Sequence, residues 1–308
     1  MSLRIAVMGT GGVGGYFGAR LARAGESVVF IARGPHLEAI RRQGLTIRSV
    51  ADGEFVVKAE AVEDPAALGP VDAVLFCVKS FDTESAAGLI RPLVGPGTAV
   101  LSLQNGVDNE EKIDALLGPG RAMGGVALVF VAVEAPGVIS HRLLGRIIFG
   151  ELTGAVTDRA RALAEAFGRA RIPAELSTDI RAALWEKYVS ICAQAGMTAL
   201  TRAPIGVVRG TPETWRMFRL IAEEVAALGA AAGARLPADI VERVLAWAGS
   251  LAPEARASLA IDLAAGKRIE LEALHGHAVR LGERLGVPVP TVFAVYAALK
   301  PHVAGRAG

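Results

Sequence analysis

The stretch Arg4-Ile5-Ala6-Val7-Met8-Gly9-Thr10-Gly11-Gly12-Val13-Gly14 decides the fold. Its first five residues form a short β-rich apolar run, and the glycines at 9, 11 and 14 satisfy the spacing G-x-G-x-x-G. Residues 16–23 then suit a helix. In a strand-turn-helix setting Gly9 permits the tight turn, Gly11 lets the backbone approach a pyrophosphate, and Gly14 lets helix and strand pack closely. Free N–H groups at the helix start supply an anion site. The stretch therefore reads as a dinucleotide cradle built from Gly9, Thr10, Gly11, Gly12, Val13 and Gly14. The plainer alternative is a glycine-rich turn without a ligand.

Outward from this stretch, short apolar runs alternate with helical segments, as in parallel strands joined by crossover helices. Further strands are expected at residues 27–32, 73–78 and 99–103. The run from Val74 through Val78 is apolar at every position, as a strand covered on both faces requires. Residues 124–133 and 138–150 flank Ala135-Pro136-Gly137 and suit a hairpin. A helix at 157–171 and an extended piece at 174–177 complete a domain over residues 1–178. From Asp179 onward Ala and Leu dominate and apolar residues recur three and four apart, so helices are expected at 179–200, 214–232, 237–248, 255–264, 267–285 and 291–300. The fold class is α/β, with a doubly wound N-terminal sheet and an all-helical C-terminal domain over residues 179–308.

A length of 308 residues fits two domains at roughly 150 residues each. The composition, 52% hydrophobic and 21% charged, can form a sizeable core and excludes disorder for the chain as a whole. A net charge of +2, with no tract of consecutive Lys/Arg that looks like a phosphate-backbone footprint, argues against nucleic acid as a partner. The two cysteines, Cys77 and Cys192, lie in apolar runs and read as small buried hydrophobes in a reducing compartment. The strand pattern beginning by Leu3 leaves no room for a secretory leader, and no run reaches about 18 apolar residues. A cytoplasmic protein without a membrane partner is expected. The Ala-packed faces of the helical half are compatible with a homodimer and equally with that half's own core.

In an open parallel sheet, ligands lie beyond the carboxyl ends of the strands. The second strand ends in Arg33, with no carboxylate at its tip to accept from a ribose 2′-hydroxyl. A guanidinium there suits a 2′-phosphate, which favours NADPH/NADP+ over the unphosphorylated cofactor. Lys79 follows the strand at 73–78, and Gln104-Asn105-Gly106 follows the strand at 99–103. Asn105 can present its amide to a ligand there, although Asn-Gly is also simply a good turn.

In the helical half, Lys187 is one of only six lysines and sits in a mostly apolar helix. Apolar surroundings depress a lysine pKa towards the range in which it can donate a proton near neutrality; a lysine snorkelling at the core rim is the alternative. Ser258 and Asp262 precede a helix break at Gly266, after which Glu270 and Glu272 stand near a new helix start, where acidic residues also favour the helix dipole. His275 and His277, two apart, point to different faces of a helix, and no metal site is expected.

Together, the glycine-rich loop, Lys79, Gln104-Asn105-Gly106, Leu184-Trp185-Glu186-Lys187, Thr198-Ala199-Leu200 and the spacing from Ser258 through Asp262 to Glu270 make the chain resemble the ketopantoate reductase family, from the first strand to about Lys300. The resemblance implies an N-terminal Rossmann domain, a helical domain similar to those of 6-phosphogluconate dehydrogenases, and an active site in the cleft between them. It implies reduction of 2-dehydropantoate, a small 2-keto acid, to pantoate with NADPH, on the route to pantothenate and coenzyme A. Lys187 would then be the general acid, Glu270 the anchor of a substrate hydroxyl, Ser258 a contact of the substrate carboxylate, and Asn105 the group that keeps nicotinamide and substrate in register. Lys79 matches a cleft lysine near the cofactor, and Arg33 the 2′-phosphate contact.

The chain departs from the family pattern four and eight residues after Lys187. Better-studied members carry asparagines there, and this chain has Ile191 and Ala195; the asparagine expected shortly before Ser258 is Ala255. Loss of such groups changes substrate discrimination before it changes the chemistry. Two rivals follow: a paralogue that reduces another 2-keto acid or small carbonyl compound, and a non-catalytic NADPH-binding sensor. Retention of Lys187 with Glu270 argues against the sensor.

Overall fold

The computed structural model describes residues 2–305. Its contacts divide the described residues into two units, one comprising residues 2–104 and 108–180 and the other residues 105–107 and 181–305.

The first unit runs β1 (Arg4–Met8), α1 (Gly12–Arg23), β2 (Ser27–Ile31), α2 (Gly34–Gln43), β3 (Leu45–Ser49), β4 (Gly53–Val57), β5 (Glu60–Val62), β6 (Ala73–Phe76), α3 (Thr83–Leu89), β7 (Ala99–Ser102), α4 (Asn109–Leu117), β8 (Ala122–Ala135), β9 (Val138–Glu151), α5 (Asp158–Arg169) and β10 (Ala174–Leu176). The strands form one sheet in the order β4-β3-β9-β8-β7-β6-β1-β2-β5, with β10 also on β9. From β5 through β2, β1, β6 and β7 to β8 the neighbours are parallel. β8 and β9 pair antiparallel, which is the hairpin expected around Pro136.

The central strands alternate their apolar side chains between two cores, as the two-residue repeat of a strand dictates. Ile5, Val7, Leu75 and Leu101 pack on one face with Tyr16, Phe17 and Leu21 of α1. Ala6, Val74, Phe76 and Val100 pack on the other with Ala86 and Ala87 of α3 and Ile113 of α4. Each fully buried Leu, Ile, Val or Phe contributes about 1.5–3 kcal/mol, so a polar replacement at any of them is costly. The order of the strands reverses at β1, with β2 on one side and β6 on the other. The glycine-rich loop thus stands at the switch point where open sheets bind ligands.

The second unit is helical: α6 (Ile180–Leu200), α7 (Ile205–Gly210), α8 (Pro212–Ala231), α9 (Ile240–Ser250), α10 (Ser258–Ala264), α11 (His277–Leu285) and α12 (Pro290–Leu299). Three expectations need correction. The helix over 267–285 is interrupted: residues 267–270 are irregular, held by the Ile269 N–H on Val303 O (3.1 Å), and a π-helical turn over Glu272–Gly276 precedes α11. The helix expected from residue 255 starts at Ser258, because Pro253 O and Ala255 O accept the N–H groups of Gly206 and Ile205 at 2.8 and 2.9 Å and are held outside it. Cys77, expected buried, is half-buried, whereas Cys192 is buried; both are free thiols whose pKa burial pushes up.

Candidate active site

The loop after β1 is shaped by its glycines in three ways. Gly9 has φ +91°, which L side chains rarely adopt, and a Cβ there would lie 2.8 Å from Val78 N. A Cβ on Gly14 would collide with Gly9 O and lie 2.9 Å from Val7 Cγ1, so α1 closes onto β1 only through glycine. Gly12 lies against β8, where a Cβ would stand 3.1 Å from Val131 O. Gly11 is different: its φ is an ordinary −80°, and a Cβ there would meet nothing within 4 Å. Neither backbone nor packing requires glycine at position 11, and the open space at the N-cap of α1 is the room a pyrophosphate needs. The residues present therefore fit a dinucleotide.

Neighbouring groups complete this end of the sheet. Thr10 is committed to β2, its N–H and hydroxyl both reaching Ile31 O at 3.2 and 3.0 Å. Val13 packs against the core beneath. Arg33, exposed at the N-cap of α2, pairs with Asp82 at 3.5 Å. Lys79 is half-buried at the start of the 3₁₀ turn Ser80–Asp82, next to the Val78 backbone that Gly9 approaches. Gln104 is structural: its amide donates to Val78 O (3.0 Å) and Thr83 Oγ1 (2.8 Å), tying the end of β7 to the segment after β6.

In the helical unit the structure brings Lys187 and Glu270 together. Lys187 lies in the second turn of α6, half-buried, and burial lowers its pKa to about 8 while the Glu270 charge opposes the shift. Glu270 is 7% exposed, between the fully covered Ile269 and Leu271. A carboxylate so placed needs a charged or hydrogen-bonding partner. The π-helical turn brings it there: Leu274 N–H bonds Glu270 O at 3.2 Å, and Gly276 N–H bonds Leu271 O at 2.9 Å. Such turns interrupt regular helices at functional sites.

Two bonds fasten that turn to α6, and sequence reading missed both. Tyr188 donates its hydroxyl to Leu274 O at 2.5 Å, and the His275 ring meets Cys192 O through Nε2 at 2.9 Å. A carbonyl only accepts, so Nε2 carries the proton. Burial pushes the His275 pKa down to about 4, and the ring is neutral. Gly196 allows the approach, since a Cβ there would stand 2.6 Å from His275 Nε2. The signal was present in the sequence as one histidine and one glycine, each unremarkable alone.

Ser258 is exposed at the first position of α10. The preceding Ala257 N–H meets Thr198 Oγ1 of α6 at 3.5 Å, which places this helix start roughly 16 Å along the α6 axis from Lys187. Asn105 is half-buried and falls in the three-residue segment that belongs with the helical unit. Among the described residues no cluster of His, Cys, Asp and Glu could hold a metal ion, and no helix is long and apolar enough to cross a membrane.

A dinucleotide cradle in one unit, and in the other an ammonium brought close to neutral pH beside a buried carboxylate, are the parts of a nicotinamide-dependent oxidoreductase acting on CH–OH groups. More narrowly, the chain belongs to the ketopantoate reductase family. Residues 5–154 match the family described as ketopantoate reductase PanE/ApbA, and residues 179–303 match its C-terminal part. A curated 2-dehydropantoate 2-reductase of Mesorhizobium japonicum is 32% identical over 97% of each chain. The crystal structure of a PanE/ApbA family ketopantoate reductase from Ralstonia eutropha superposes with a TM-score of 0.90 at 36% identity, over 97% of each chain. A D-mandelate dehydrogenase solved with NADH and anilino(oxo)acetate shares the fold, with a TM-score of 0.88 at 22% identity over 97% of each chain.

Proposed function

We propose that the chain reduces 2-dehydropantoate to pantoate with NADPH, a reaction that leads to pantothenate and coenzyme A. The observation that carries this reading is the Lys187 ammonium, whose pKa lies at about 8 beside Glu270. At neutral pH it is charged and can still give up its proton to a ketone oxygen, the property required of a general acid. When bound, the nicotinamide supplies the hydride for the carbonyl carbon. Lys187 neutralises the charge that develops on the oxygen, and a positioned acid of this kind is worth about 10²- to 10⁴-fold.

The remaining roles are those the family resemblance implies. Glu270 holds the ammonium charged and accepts from a substrate hydroxyl. Ser258 offers its hydroxyl to the substrate carboxylate, and Asn105 orients substrate and nicotinamide. The backbone from Gly9 to Gly14 holds the pyrophosphate, with Lys79 as a further cation. Arg33, with no carboxylate at the end of β2, takes the 2′-phosphate in place of Asp82.

A second reading, reduction of another 2-oxo acid, is favoured by the apolar Ile191 and Ala195 on the Lys187 side of α6. The fold does not decide between them, since a D-mandelate dehydrogenase shares it. The deciding experiment follows NADPH oxidation with 2-dehydropantoate and a panel of 2-oxo acids, for the wild type and for Lys187→Ala. We expect turnover of 2-dehydropantoate and a kcat loss of at least about 10²-fold in the variant, with nucleotide binding kept. Turnover of another acid with 2-dehydropantoate inert would establish the second reading. Tight NADPH binding without turnover of any acid would make the protein a sensor.

A further inference from the structure

At 100° per residue, Lys187, Gln194 and Thr198 of α6 lie within about 20° of one line along the helix, and Ile191 stands between the first two. They form one polar line on a helix that is mainly apolar. Two of its members have partners. Lys187 faces the Glu270 charge, and the Thr198 hydroxyl donates to Gln194 O at 2.7 Å and lies 3.5 Å from Ala257 N. The Gln194 side chain is the exception. The residue is only 6% exposed, and among the described residues its Nε2 has no hydrogen-bond partner. A buried amide N–H without an acceptor is destabilising, and native interiors keep few such groups, each with a water, an ion or a functional role to account for it.

We infer that Gln194 is a specificity-determining residue, and that its amide takes the terminal hydroxyl of a 2-oxo acid whose carbonyl meets Lys187; the inference rests on the reductase reading above. The spacing suits such a molecule. Gln194 lies two turns, roughly 10 Å, further along the axis than Lys187, a gap that the long Lys and Gln side chains span with one small molecule between their ends. Ile191, half-buried between them, faces the carbons that separate carbonyl and hydroxyl, so that stretch of the substrate is apolar and branched. The neutral amide, with the apolar Ile191 and Ala195 beside it, also argues for a hydroxyl over a second carboxylate, which would be buried there without a cation. A hydroxyl has two lone pairs for the amide and one hydrogen left for the Glu270 carboxylate.

The test compares kcat/KM for 2-dehydropantoate with that for 3,3-dimethyl-2-oxobutanoate, which has a methyl in place of the hydroxymethyl group, in the wild type and in Gln194→Met. Methionine keeps the length and removes the amide. The wild type is expected to favour the hydroxylated acid, and the variant to lower that ratio about 10- to 100-fold. Its urea midpoint is expected to equal or exceed that of the wild type, because an unpaired buried amide has been removed. A ratio unmoved by the substitution, in a variant of undiminished stability, would overturn the inference alone. Failure of the wild type to reduce either acid would overturn the reductase reading and this inference with it. A lowered urea midpoint with an equal loss on both acids would make Gln194 a packing residue, also against the inference.

Discussion

At the scale of single residues, the chemistry turns on how burial is divided between two charges. Burial lowers the Lys187 pKa and Glu270 opposes it, so the ammonium titrates at about 8. The acid form is the active one for ketone reduction, so kcat/KM is expected to be level below pH 8 and to fall about tenfold per unit above it. Replacing Glu270 with Gln removes the charge that raises the lysine, so the break should move to lower pH; a profile with its break unmoved would remove Glu270 from that role. Arg33 is the residue on which cofactor choice depends. It is exposed, with only a 3.5 Å pairing to Asp82 to give up. A charge-assisted contact to a 2′-phosphate is worth about 1.5–3 kcal/mol. Arg33→Ala should thus raise KM for NADPH roughly ten- to a hundredfold and leave KM for NADH nearly unchanged, as steady-state kinetics with both cofactors would show.

At the scale of elements, α6 and the π-helical turn behave as one piece. Tyr188 and His275 bond across the two, and Gly196 is the small residue that lets the His275 ring reach Cys192 O. Gly196→Ala puts a methyl 2.6 Å from His275 Nε2, a distance real Cβ atoms essentially never show, so the His275 ring must give way and with it the bond to Cys192 O that ties the turn carrying Glu270 to the helix carrying Lys187. A displacement of about 1 Å in a catalytic constellation can cost about 10²-fold. We expect a kcat loss of that order, with NADPH binding measured by fluorescence titration unchanged; unaltered kcat would show that the turn tolerates the methyl. This coupling was hidden in the sequence for a physical reason. Residues 267–285 carry helix-compatible apolar spacing throughout, and the bond that breaks the helix, Ile269 N–H to Val303 O, joins residues 34 positions apart. The short strands β3, β4 and β5 were hidden likewise. β3 and β4 lie at an edge with charged Arg48 and Glu54 facing outward, and the three-residue β5 offers too little alternation to read.

At the scale of the whole molecule, what was legible was what depends on local periodicity. The central strands β1, β2, β6 and β7 came within two residues of their observed ends because they are buried on both faces and show it in composition. The glycine loop was legible because its spacing lies within 14 residues of chain, although the contacts that require Gly9 and Gly12 come from Val78 and Val131 and Gly11 answers to no contact of the chain at all. The fastening of strand ends by a buried ion pair was not, and it makes the last prediction. Glu151, at the end of β9, is 7% exposed and accepts from Arg159 of α5 at 2.7 and 2.6 Å and from Thr157 at 2.6 Å. The same guanidinium donates to Thr98 O before β7 and Gly120 O before β8, so one side chain joins four segments of the sheet unit. Burial raises the Glu151 pKa, and the Arg159 and Thr157 bonds more than offset it, leaving it below the usual 4.5. A carboxyl whose pKa is depressed on folding lends stability that is present above its unfolded pKa and is lost as pH falls through the folded value. Removing one partner of such a buried pair costs about 3–5 kcal/mol, and the partial exposure of Arg159 puts this pair at the low end. Glu151→Gln should therefore unfold at a clearly lower urea concentration at pH 7 and lose less stability than the wild type on acidification below pH 4.5. Parallel stability-pH curves for the two proteins would mean that the strand ends are held by packing and not by this charge.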